Sequence, residues 1–184
     1  AISADCWTVT RSILAENSPY FETGIKLSYA TPSEKWNVAA LVLNGWQRIQ
    51  KVEGNQTPAF GTQVTYKPNA FVTLNWSTYV GNEQADVARR WRYFNNFYGQ
   101  FKVAEKTTLI AGFDIGIQQT IKGSTNYDTW MSPVLMGQFT INKTWKEVYV
   151  NIAKCNGSES QCLRIAWTLF VNYTPKNWDG YSGF

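Results

Sequence analysis

One feature constrains this chain more than any other. A pair of long alternating segments, joined by a tight turn and followed by a longer polar loop, recurs at a nearly constant interval. Turn signals fall at Pro32, Pro68, Glu105, Asn142 and Pro175, at spacings of 36, 37, 37 and 33 residues. Successive strand residues point to opposite faces, so alternation of apolar and polar side chains marks a strand with one apolar face. In Tyr20–Tyr29, Phe21, Ile25, Leu27 and Tyr29 share one face with Thr23, and Glu22, Gly24, Lys26 and Ser28 share the other. Trp36–Trp46 alternates more weakly. The pattern returns at 60–67 and 72–81, again at 96–103 and 108–118, in a fourth pair from Thr129 to Ile152, and in a last strand from Leu163 to Tyr173.

Periods of this size also occur in propellers and solenoids. The segment length argues otherwise: about ten residues is what a tilted strand needs to cross a bilayer, whereas an ordinary strand averages about 5–6. Short turns alternating with long loops is the asymmetry of outer-membrane barrels. Tyr29, Trp36, Trp46, Tyr66, Trp130, Trp145 and Tyr173 fall at strand ends. That is where two membrane interfaces lie, so they are read as interfacial aromatics.

Composition agrees. The chain is 44% hydrophobic and 16% aromatic but only 16% charged, while mean hydropathy is −0.31. No stretch approaches the roughly 20 apolar residues of a membrane-spanning helix, so any crossing must be made by strands. A net charge of +4 is too small and too scattered for nucleic acid. The absence of histidine removes Ser-His-Asp and Cys-His catalysis and every imidazole metal site. Neither an enzyme, a metal nor a cofactor is expected. Cys155 and Cys162 bracket the polar loop 156–161 and can close it as a disulfide in an oxidising compartment. Two unlinked thiols satisfy the sequence equally well. The densest charge lies in the loop Asn82–Arg92, where Arg89, Arg90 and Arg92 stand with Glu83 and Asp86. It is read either as a constriction that folds into a pore or as a solvated loop with local ion pairs.

The chain resembles the OmpL-like putative β-barrel porin family of the Bacteroidota outer membrane. The segments that carry the resemblance are AISADCWTVTRSILAENSPY (1–20), LNGWQRIQ (43–50), LNWSTYVGNE (74–83), RYFNNFYG (92–99) and AGFDIG (111–116). It covers roughly residues 1–145 and implies an outer-membrane barrel with porin-like activity and no catalytic residues. The Ala1 segment resembles the interior of such proteins, so the chain is expected to be a C-terminal portion of a longer barrel.

The expectation is therefore an all-β, antiparallel, up-and-down transmembrane barrel, with residues 1–184 as one domain and 1–19 as a loop or short helix before the first strand. The function expected is passive passage of small polar solutes. The partners expected are membrane lipid, lipopolysaccharide and other outer-membrane proteins. Two rivals remain at this point: a non-conducting barrel serving as a structural or adhesin subunit, and a soluble ligand-binding barrel with the alternation turned inside out.

Overall fold

The computed structural model describes residues 18–19 and 21–139, and beyond them the backbone of strands at 145–146, 149–157, 160–168 and 172–173. Seven strands follow in chain order: β1 (Gly24–Ala30), β2 (Trp36–Leu43), β3 (Ala59–Asn69), β4 (Val72–Asn82), β5 (Trp91–Ala104), β6 (Thr107–Gln119) and β7 (Tyr127–Phe139). They form one antiparallel up-and-down sheet in which each strand pairs with its neighbour in sequence, and β1 and β7 are its edges. β3 to β7 run 11 to 14 residues, well beyond the usual strand. The connections at 31–35, 70–71 and 105–106 are short and lie at one end of the sheet. Those at 44–58, 83–90 and 120–126 are longer and lie at the other.

Register converts the alternation of single strands into two uniform faces. One row runs Tyr29, Val38, Val64, Trp76, Phe97, Phe113, Pro133 across all seven strands. The row beside it, on the opposite face, runs Ser28, Ala39, Gln63, Ser77, Asn96, Asp114, Ser132. The apolar face is the exposed one: Ile25 and Leu27 are 76% and 77% exposed, and Tyr29, Trp36, Val42, Phe60, Trp76, Phe97 and Leu135 also stand in the open. Aromatic pairs pave it, with Trp36 stacked on Tyr66 at 4.1 Å and Trp76 on Phe97 at 5.9 Å between centroids. The polar face is buried toward the later strands, with Asp114 at 0% and Ser132 at 1% exposure, while Ser28 on the edge strand is exposed. A soluble barrel folds the other way, with its apolar row in the core. The expected separation of Leu74, Trp76, Phe113 and Ile115 from Asn75, Gln100 and Asp114 onto opposite faces is what the register gives.

Several boundaries differ from the sequence reading. β1 begins at Gly24, not Tyr20, although Asn44 N–H still donates to Thr23 C=O at 2.9 Å. β2 stops at Leu43 because Gly45 (φ +138°) and Gln47 (φ +54°) turn the chain out of the sheet. β5 begins at Trp91, so Arg92 belongs to a strand and not to the loop before it: it pairs with Gly81 on one side and Gln118 on the other. In the C-terminal part, a hairpin pairs Tyr149–Gly157 (β9) with Ser160–Thr168 (β10), and Trp145–Lys146 (β8) pairs with Asn172–Tyr173 (β11). Strand pairing therefore takes up most of the expected loop at 156–161, and its register sets Cys155 opposite Cys162. The expected turn at Asn142–Lys143 and the segment 1–17 lie outside the described residues, as do the side chains of Trp145, Tyr173 and both cysteines.

The first short turn is held by Thr31, whose N–H donates to Trp36 C=O at 2.9 Å and whose C=O accepts from Glu34 N–H at 2.8 Å. Glu34 takes a φ of +56° to close it, a conformation that costs an L-residue about 1–2 kcal/mol. A β-branched side chain is least tolerated there. Replacing Glu34 by Gly should shift stability by less than about 1 kcal/mol, strain relief offsetting chain entropy, whereas Glu34→Ile should lower it measurably. Equilibrium urea unfolding of both variants checks this.

Candidate functional site

The polar face is organised by side-chain hydrogen bonds that pass from strand to strand. Lys26 Nζ donates to Gln63 Oε1 at 3.0 Å, and Gln63 Nε2 donates to Asn75 Oδ1 at 3.2 Å. Thr65 Oγ1 donates to the same Asn75 oxygen at 3.0 Å, and Asn75 Nδ2 donates to Ser77 Oγ at 2.9 Å. On the next strands Asn96 Nδ2 donates to Asp114 Oδ1 at 2.5 Å. Asp114 Oδ2 and Ser132 Oγ are buried with no hydrogen-bond partner. Asp114 and Ser132 are register partners, so this face is polar down to its buried middle, where an unpartnered polar atom is costly.

Toward the long-loop end this face carries an aromatic cluster built around Trp46. The two left-handed residues that end β2 swing Trp46 over the sheet, where its ring meets Tyr79, Phe94 and Trp130 edge-on at 5.1, 4.9 and 6.3 Å. Trp130 also stacks on Phe94 at 6.5 Å. Room for it comes from Gly116, its register partner, where a Cβ would collide with the indole. Arg92 lies over Trp46 at 5.0 Å and over Trp130 at 5.7 Å, and its Nε and Nη2 donate to Gln118 Oε1 at 2.8 and 2.5 Å. Cation–π contact and the amide together fix the guanidinium against the wall. Glu83, buried, closes the cluster: it accepts from the Tyr79 hydroxyl and from Trp46 N–H at 2.9 Å, with Arg48 Nε at 3.9 Å.

The three long loops are bonded to one another above this cluster. Asn82, 1% exposed, is the hub: its Oδ1 accepts from Gln84 and Arg90 N–H at 3.1 and 3.0 Å, and its C=O accepts from Asn55 Nδ2 at 2.7 Å. Asp86 ties the second loop to the first, accepting from Thr57 Oγ1 at 2.7 Å and Gln56 N–H at 2.9 Å. The Thr57 hydroxyl, then the Gln56 amide, hold the Asp86 carboxyl below its ordinary range. Lys122 of the third loop donates to Asp86 C=O at 3.1 Å.

The charged residues singled out in the sequence thus part company. Arg92 and Glu83 reach the polar face, whereas Asp86 is engaged within the loops. Arg89 lies over Trp91 at 5.8 Å, and Arg90 Nη1 donates to Thr120 C=O at 3.4 Å. Besides Glu83, the loop side chain that packs on the polar face is Trp46 of the loop 44–58. Of the aromatics expected at membrane interfaces, Tyr29, Trp36 and Tyr66 share the exposed apolar face. Trp46 and Trp130 do not; they are corrected to the polar face, one by the reversal at Gly45 and the other by its parity with Ser132. Sequence reasoning had ranked them by nearness to strand ends. The parity of Trp130 with Ser132 and Val134, opposite Pro133 and Leu135, was the signal that would have separated it.

The family described as Putative beta-barrel porin-2, OmpL-like, matches residues 1–147, which is most of the chain. The chain belongs to this porin family. No curated protein and no solved structure matches it. The family places a β-barrel around the seven strands seen here, and so gives the sheet an inside and an outside. Among the described residues, no cluster of three or more His, Cys, Asp or Glu can hold a metal ion, and no helix is long and apolar enough to cross a membrane.

Two outcomes follow for this loop end. Glu83→Ala leaves the part-buried Trp46 amide and the buried Tyr79 hydroxyl without their acceptor, so stability should fall by roughly 2 kcal/mol, with faster hydrogen exchange at the Trp46 amide. Because the Asp86 pKa is lowered by folding, its contribution is complete above the unfolded-state value and disappears as pH falls through the folded one. Exchange at the Gln56 amide should therefore quicken below the ordinary carboxylate range, and Asp86→Asn should abolish that pH dependence.

Proposed function

We propose that the sheet is a wall section of an outer-membrane barrel through which small polar solutes pass passively. The observation that carries this reading is the polar row from Ser28 to Ser132 lying opposite a fully apolar exposed row. In a bilayer the exposed row meets hydrocarbon, and the amides and hydroxyls of the polar face line a wet lumen above the buried Asp114. The short turns then face the periplasm and the long loops the cell surface, where lipopolysaccharide is the neighbouring surface.

The mouth sets the selectivity. A constriction biases ions by its fixed charges, because low-dielectric walls weaken screening. Arg92 is the arginine of the triad that meets the polar face, held by two indoles and without a carboxylate within ion-pair distance among the described residues. Arg89 and Arg90 are engaged in the loops. The channel accordingly favours anions mildly, through Arg92.

Two measurements test this. Phe113→Arg, in the middle of the apolar row, should cost about 2–4 kcal/mol in a bilayer, while Ser28→Arg, on the other face, should cost less than about 1 kcal/mol. The reverse order would turn the wall inside out. In planar bilayers, the reversal potential in a salt gradient should move toward cation preference in Arg92→Ser and stay unchanged in an Arg89→Ser, Arg90→Ser double variant. Folded protein that conducts nothing would favour a structural barrel.

A further inference from the structure

Below the aromatic cluster the polar face holds a groove of about 360 Å³, at the small end of ligand-sized clefts, which run from ~300 to 1,000 Å³. Glu22, Lys26, Gln63, Ser77, Asn96 and Tyr98 contribute its polar lining. Counting hydrogen-bonding capacity shows what is left for a guest. The Lys26 ammonium gives one N–H to Gln63, leaving two. Gln63 gives one amide N–H to Asn75, leaving one. Ser77 accepts from Asn75, so its O–H is left to donate. Asn96 gives one N–H to Asp114, leaving its other N–H and its Oδ1, and Glu22 adds a carboxylate at the rim. Unspent donors thus gather around Lys26, and Asn96 Oδ1, the Tyr98 hydroxyl and the Glu22 carboxylate remain as acceptors.

From this arrangement we infer that the groove is a binding station for a small zwitterion of the α-amino-acid class. The inference rests on the channel reading, in that it makes the groove a stop along the lumen. One positive and one negative side chain make the lining neutral overall, which gives a net anion or cation no advantage. A guest carrying both a carboxylate and an ammonium group satisfies both. Its carboxylate accepts from Lys26, Gln63 and Ser77, and its ammonium donates to Glu22 and Asn96 Oδ1. A neutral polyol would leave both charges of the lining to water.

The test uses the full chain folded in detergent, with L-alanine as probe and calorimetric titration as readout. L-lactate keeps the carboxylate and lacks the ammonium; glycerol lacks both. L-Alanine should bind more tightly than either. Lys26→Gln and Glu22→Gln should each weaken it by about tenfold or more, the size of a lost charge-assisted bond. Lys26→Arg should retain binding, and the heat-dependent gel mobility of folded barrels verifies that each variant is assembled. Equal binding of L-alanine, L-lactate and glycerol would overturn the proposal, as would alanine binding that ignores both substitutions. Single-channel conductance in simple salt separates the two readings. A conducting protein that does not select alanine loses the groove but keeps the channel, whereas binding without conductance does the reverse.

Discussion

Everything in this wall depends on the antiparallel register being held in step across seven strands. Side chains repeat with period two, so a slip of one residue in any pairing would carry a whole strand's apolar set to the other face. The pairings hold Tyr29, Val38, Val64, Trp76, Phe97, Phe113 and Pro133 in a single line, and the same pairings fix the polar line beside it. Irregularities occur only next to the short turns, between Tyr66 and Asn69 and between Lys102 and Ala104. There the ladder can lose a step without disturbing either row. Cross-strand amide and hydroxyl bonds on the polar face and stacked rings on the apolar one reinforce this register from both sides.

The loop end obeys a different economy. Backbone groups leaving a sheet must find new partners, and here one asparagine and two acids provide many of them. Asn82 collects the second loop, Asp86 joins it to the first, and Glu83 fixes Trp46 by its amide. These contacts make the loop end a continuation of the sheet. Gly81 belongs to the same device: a Cβ there would collide with the Tyr79 hydroxyl on its way to Glu83. A small residue in the strand is therefore what lets the tyrosine reach the acid that positions the tryptophan.

Most of the wall was legible because alternation is a property of single strands. The face partners of β3, β4 and β6 follow from it directly, and the turns at Pro32, Pro68 and Glu105 fall close to where the chain reverses. What alternation does not encode is which residues stand beside each other on different strands. The line from Ser28 to Ser132, the Asn75 hub and the burial of Asp114 emerge only with the register. Trp46 was illegible for another reason. It continues the parity of β2, but the positive φ at Gly45 and Gln47 reverses its direction, and nothing in the local pattern marks a glutamine as left-handed. Arg92 was grouped with Arg89 and Arg90 because the three are adjacent in sequence. Its pairing with Gly81 and Gln118 separates them.

Where charge lies along the polar face gives the wall its functional direction. Between the mouth and the short turns, the row lining the proposed lumen carries amides, hydroxyls and a single buried carboxylate. Fixed cations gather at the mouth, and Lys26 stands beside the groove below it. A guanidinium held between two indoles keeps its full charge but gives up much of its mobility, so its field always points at the same place. A loop arginine such as Arg89, which lies over Trp91 at 5.8 Å, meets a medium whose salt screens its field within about 10 Å. On the proposed channel reading, discrimination by charge belongs to the step at which a solute passes Trp46. On the same reading, the wall beyond it offers hydrogen bonds that a hydrated solute can exchange for its own water at little cost, so one surface would both select at its rim and let pass along its length.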